Sequence, residues 1–75
     1  MILRLNGHPT IENLRNYPAE TVAKLRGLLA VGAKARSDPR RKDFYDLETG
    51  SQVFYIHLCP NGKVLLLATC RRPAA

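Results

Sequence analysis

The side chains with the chemistry for catalysis or charge recognition cluster in the second half of this chain, and His57 stands among them. It is the histidine set inside an apolar run, Val-Phe-Tyr-Ile-His-Leu over residues 53–58. An imidazole titrates near neutral pH, which suits a general base or a nucleic-acid contact. No carboxylate lies at a spacing that would orient it, so a half-buried histidine at a sheet surface or interface is the plainer reading. Lys34, Arg36, Arg40, Arg41 and Lys42 form the densest run of positive charge, with only Asp38 among them. Such a run tracks phosphates or is simply a solvated face. Arg71 and Arg72 close the last apolar run.

The element that must position these groups is the stretch over residues 53–70. Asn61-Gly62 between two apolar runs predicts a hairpin, because both residues tolerate the positive φ of a two-residue turn. That turn places Cys59 opposite Val64, His57 opposite Leu66, Tyr55 opposite Ala68 and Val53 opposite Cys70. Alternation then sends Phe54, Ile56, Leu58, Leu65 and Leu67 to the core. The second face receives Val53, Tyr55, His57, Cys59, Val64, Leu66, Ala68 and Cys70. It is too apolar for ordinary exposure, and residues 64–68 read as a strand covered on both faces. Residues 43–48 read as a further strand, with Tyr45 and Leu47 on the core face and Phe44 and Asp46 on the second. Arg72 falls on the second face too. Aromatic rings beside cations are what single-stranded RNA recognition uses. The candidate interface is Phe44, Val53, Tyr55, His57, Val64, Leu66 and Ala68. The nucleic-acid candidates are Lys34, Arg36, Arg40, Arg41, Lys42 and Arg72.

The first half supplies the rest of the scaffold. Residues 1–5 alternate weakly and suggest an edge strand. Asn-Gly-His-Pro over residues 6–9 is a turn. Ile11 and Leu14 predict a short helix over residues 10–16, ended by Tyr17-Pro18. A second helix runs from Pro18 to Gly32, with Val22, Leu25, Leu28 and Leu29 as its apolar stripe. Residues 33–42 read as a loop. The expected fold is one α+β domain over residues 1–75: two N-terminal helices packed on one face of a three- or four-stranded antiparallel meander, in the order (β)-α-α-β-β-β.

Composition sets the outer bounds. A chain of 75 residues makes one small core, and such domains commonly gain stability from a partner. The hydrophobic fraction of 45% is that of a globular protein. A net charge of +6 favours an acidic partner, RNA or DNA included, or else serves solubility. Cys59 and Cys70 sit at opposite ends of the hairpin, beyond the ~7 Å reach of a disulfide. Free thiols point to a reducing, cytoplasmic setting, and they lack companion ligands for zinc. No apolar run approaches the ~18 residues of a membrane span.

The stretch Gly-Ser-Gln-Val-Phe-Tyr-Ile-His over residues 50–57, with Gly-Lys-Val-Leu-Leu-Leu-Ala-Thr-Cys-Arg-Arg over residues 62–72, resembles a signature of RelE/ParE-type bacterial toxins, G-x-R-V-x-Y-x-V…G-x-V-x-V-L-x-V-x-x-R. The likeness spans roughly residues 18–72, with its motif in the last third. It implies a strand, two helices and a three-stranded meander. It also implies that Arg72 corresponds to the basic residue that faces RNA in the ribonuclease branch, and that Lys42 lies near that branch's other basic residues. Gln52 stands where the family has arginine, no tyrosine or histidine segment follows, and His57 has no counterpart. If the activity carries over, Lys42, His57 and Arg72 are the catalytic candidates, holding and polarising a scissile phosphate.

Nothing in the chain completes a catalytic set. The reading ranked first is therefore a non-enzymatic interaction module that self-associates or binds a small protein partner through the second face. A RelE/ParE-like toxin acting on ribosome-bound mRNA comes next, then a non-specific nucleic-acid binder using the 34–42 loop. No cofactor, metal or membrane is implied.

Overall fold

The structure is a computed structural model and describes residues 1–71. The chain runs β1 (Ile2–Leu3), β2 (Ile11–Asn13), α1 (Ala19–Val31), β3 (Ala33–Ser37), β4 (Phe44–Glu48), β5 (Gln52–Leu58) and β6 (Val64–Arg71). All strands join one sheet in the order β1-β3-β4-β5-β6-β2. Every pairing is antiparallel except that of β2 with β6. The expected pair of helices on a meander is thus overturned: among the described residues one helix covers one face of a six-stranded mixed sheet.

The first expected helix is strand β2. A seven-residue segment is too short to hold a helix by itself, since nucleation is costly and isolated helices need ~12–15 residues. Pairing with β6 satisfies its backbone instead. Val64 N–H donates to the Thr10 carbonyl at 2.9 Å, and Leu14 N–H donates to that of Leu66 at 3.4 Å. The Asn13 side chain then closes the turn into α1. Its Nδ2 donates to the Tyr17 carbonyl at 2.6 Å, and its Oδ1 accepts Tyr17 N–H at 2.9 Å.

Helix α1 follows its apolar stripe. Leu25 and Leu29 are fully buried, and Val22 and Leu28 pack at the core margin. Gly32 ends it with φ 103°, and its N–H donates to the Leu28 carbonyl at 2.9 Å. A Cβ at that position would lie 3.0 Å from Ile2 Cγ2, so both backbone and space select glycine. The chain passes straight into β3, which was expected to be a loop. Its pattern Ala-Lys-Ala-Arg-Ser does alternate, and Ala33 and Ala35 are buried. Two alanines carry little apolar weight, which hid the strand behind its cations. Strand β1 pairs with β3 at one edge, through Ile2 with Lys34 and Leu3 with Ala33.

The β5–β6 hairpin departs from expectation near its turn. The loop is Pro60-Asn61-Gly62 rather than Asn61-Gly62 alone. Gly62 N–H donates to the Cys59 carbonyl at 3.0 Å and Cys59 N–H to that of Lys63 at 2.8 Å, with Gly62 at φ 84°. Proline's fixed φ suits the first central position of such a turn, and glycine takes the left-handed position that follows. The extra residue shifts the register by one: Leu58 pairs with Val64, His57 with Leu65 and Ile56 with Leu66. A one-residue shift moves side chains to the opposite face. Val64 and Leu66 therefore enter the core, fully buried, while Leu65 is half-buried opposite His57. A bulge at Leu67 removes the shift, so that Tyr55 with Ala68, Phe54 with Thr69 and Val53 with Cys70 pair as expected.

The core beneath α1 is Leu3, Leu25, Leu29, Ala33, Ala35, Leu47, Phe54, Ile56, Val64 and Leu66, with Tyr45 packed against it. Each fully buried Leu, Ile or Phe contributes ~1.5–3 kcal/mol over exposure. Cys59 and Cys70 are free thiols. Among the described residues no helix is long and apolar enough to cross a membrane.

Candidate interaction surface

No helix lies over the other face of the sheet among the described residues. Cross-strand register puts the following rows on this outer face. Phe44 pairs with His57 and His57 with Leu65. Arg36 pairs with Asp46, Asp46 with Tyr55 and Tyr55 with Ala68. Lys34 pairs with Glu48, Glu48 with Val53 and Val53 with Cys70.

The β3–β4 end carries a knot of rings and charges. Phe44 stacks on His57 with ring centroids 4.2 Å apart and planes 24° apart. Tyr55 lies 5.8 Å from Phe44, and the Arg41 guanidinium sits over the Phe44 ring at 5.2 Å. Such aromatic and cation–π contacts add to plain area burial. The Tyr55 hydroxyl donates to Asp38 Oδ2 at 2.7 Å, and Arg40 N–H donates to Asp38 Oδ1 at 2.9 Å. Asp38 thereby folds the β3–β4 turn down onto the outer face. The Arg40 N–H, then the Tyr55 hydroxyl, hold its carboxyl below the ordinary value, with the Arg41 and Arg40 charges adding to this. The same hydrogen bond to Asp38 raises the Tyr55 hydroxyl above its ordinary value.

His57 is anchored by main chain. Its Nδ1–H donates to the Asp43 carbonyl at 3.2 Å, which also accepts Leu58 N–H at 2.8 Å. Asp43 adopts φ 64°, a left-handed conformation that aspartate tolerates better than most residues. No carboxylate orients the imidazole, and the Tyr55 hydroxyl is committed to Asp38. Among the described residues the face is therefore equipped to stack, hydrogen-bond and pair charges. No group of three His, Cys, Asp or Glu residues among those described is arranged to hold a metal ion.

The fold gathers some of the expected residues and disperses others. Phe44, Val53, Tyr55, His57 and Ala68 share the outer face. Val64 and Leu66 do not belong to it, because the three-residue turn puts both in the core, and Leu65 stands there instead. Lys34 and Arg36 lie on β3 rather than in a loop, while Arg40, Arg41 and Lys42 are exposed in the turn. Lys42 precedes the residue that anchors His57. Arg72 lies outside the described residues.

Two features went unread in the sequence. Asp38 reads in the sequence as a lone acid in a basic run, although Asp-Pro marks turn initiation. The other is charge balance. Residues 34–48 hold five cations but also four carboxylates, Asp38, Asp43, Asp46 and Glu48, and β3–β4 pairing sets them side by side. Compared with known proteins, the chain matches no family model, no curated protein and no solved structure.

Proposed function

We propose that the protein is a non-enzymatic interaction module that self-associates through its helix-free sheet face. The observation that carries this reading is the Phe44–His57–Tyr55 cluster with Arg41 above it, held half-buried on a face that no helix covers. Aromatic residues and arginine are the types enriched where interfaces draw their energy. Leu65 and Val53 extend the cluster along the sheet.

Charge supports a twin as the partner. An isologous interface must complement itself. Around the cluster cations and carboxylates nearly balance, in a chain whose net charge is +6. Two copies thus meet least repulsion when they approach by this face. A reducing compartment such as the cytoplasm suits the two free thiols, one of which, Cys70, is exposed on it.

Sedimentation velocity across a concentration series tests the reading. A concentration-dependent dimer is expected. Phe44→Ala should weaken the dimer by at least about thirtyfold, since central aromatic anchors carry ~2 kcal/mol or more, while leaving the protein folded by circular dichroism. A monomer at the highest concentration reached would sink the proposal.

A further inference from the structure

The excess positive charge lies outside the basic run of residues 34–42. Residues 34–48 are nearly balanced, whereas the rest of the chain carries seven cations, Arg4, Arg15, Lys24, Arg26, Lys63, Arg71 and Arg72, against Glu12 and Glu20. Of these, Lys63 is paired with Glu12 at 2.9 Å, and Arg26 Nη1 donates to the Pro9 carbonyl at 2.7 Å. Lys24 and Arg71 are exposed and enter no ion pair among the described residues.

The outer-face cations Lys34 and Arg36 line a cleft, but Glu48 and the buried Ala35 line it with them, and Lys34 and Arg36 stand across from Glu48 and Asp46, whereas Lys24 and Arg71 have no such cross-strand acids. Lys24 and Arg71 line a separate open cleft of about 810 Å³ between the first turns of α1 and the ends of β5 and β6. The hydroxyl-bearing residues Thr21 and Ser51 line it, and Glu20 lines it as well. The corner is built firmly. Tyr17, just before α1, accepts the Thr69 N–H on its hydroxyl oxygen at 3.3 Å, and Gln52 Nε2 donates to Thr69 Oγ1 at 2.8 Å. Arg15 stands in the turn that leads into the same corner.

We infer that this cleft binds the phosphodiester backbone of nucleic acid, without reading its sequence. Cations and hydroxyl donors are the groups that bind phosphate oxygens, and backbone contacts carry no base information. The cleft is open and polar, so it takes a passing strand rather than enclosing a small molecule. It lies on a different surface from the outer face, and the inference stands independently of self-association. Glu20 opposes the ligand and sets the sign of one decisive variant.

Fluorescence anisotropy with a labelled oligonucleotide at low and moderate salt tests this. The full chain is expected to bind, and affinity should fall with salt by a slope of ~0.7–0.9 per phosphate neutralised. Lys24→Glu with Arg71→Glu should weaken binding at least about tenfold, at ~1.4 kcal/mol per decade. Arg40→Glu with Lys42→Glu, exposed in the β3–β4 turn, should change it far less, and Glu20→Gln should tighten it. Circular dichroism of each variant separates lost binding from lost folding, and Glu20→Gln asks for a gain that misfolding cannot mimic. The inference is overturned by absent binding at low salt, by an equal loss from the Arg40 and Lys42 pair, by weaker binding of Glu20→Gln, or by a poly-glutamate peptide that binds as tightly as the oligonucleotide.

Discussion

The two faces of the sheet are built from alternate residues of the same strands, yet they obey different rules. The face beneath α1 has a fully buried row of Leu47, Phe54, Ile56, Val64 and Leu66. The helix-free face interleaves Phe44, Tyr55, His57 and Leu65 with Lys34, Arg36, Asp46 and Glu48. The first gains stability from excluded water and cannot lose a methylene without leaving a void. The second holds its side chains by pairwise contacts, a stack, a hydrogen bond and a cation over a ring, which survive partial exposure. Burial is concentrated on the side that α1 covers.

Neighbouring residues on β6 give the sharpest test of this division. Leu66→Ala removes a fully buried side chain and should cost ~2–5 kcal/mol in denaturant unfolding. Leu65→Ala, one residue away on the outer face, should cost under ~1 kcal/mol, because its site remains partly solvated. Equal losses would mean that the two faces are alike in burial, as the apolar run over residues 64–68 suggests of a strand covered on both sides, and a larger loss from Leu65→Ala would restore the register of the two-residue turn.

A smaller effect probes the turn that assigns the faces. Gly62 has φ 84°, and nothing lies within 4 Å of a Cβ added there. Gly62→Ala should therefore destabilise by about 1 kcal/mol through backbone conformation alone. Gly32→Ala should be worse, since Ile2 would also be crowded at 3.0 Å. The order of the two melting temperatures checks this.

The least costly contact is on the outer face and shows itself through pH. Asp38 has a lowered value, so its contribution is present above the ordinary carboxylate value of 3.8 and is lost as pH falls through the folded-state value. Tyr55 is raised, so its contribution holds below 10.0 and is lost as pH rises through its folded-state value. Tyr55→Phe should remove the alkaline limb, shrink the acid limb only in part because the Arg40 N–H still holds Asp38, and lower the neutral plateau by the small amount those limbs represent. An alkaline limb that is the same in wild type and variant would remove Tyr55 as its source.

Much of the frame was legible in local pattern. Helix α1 declared itself through Val22, Leu25, Leu28 and Leu29, and strands β4, β5 and β6 through alternation and β-branched or aromatic content. The placement of Phe44 with His57 and Tyr55 followed from period two alone. Strand β2 was illegible because three residues gain their hydrogen bonds from an edge far along the chain. Strand β3 was illegible because small buried alanines give almost no hydropathy signal beside Lys34 and Arg36. The basic run looked like a phosphate track because sequence spacing does not show that β4 returns Asp46 and Glu48 beside it.

Taken alone, the sequence determined which segments are apolar, where α1 starts and stops, and that residues 53–70 fold back on themselves. It could not decide which face Val64 and Leu66 occupy, because residues 64–67 are apolar at every position and either register buries leucines. Tertiary structure decided that: a three-residue turn at Pro60-Asn61-Gly62 shifts the strand by one, the bulge at Leu67 shifts it back, and α1 selects the face that becomes core.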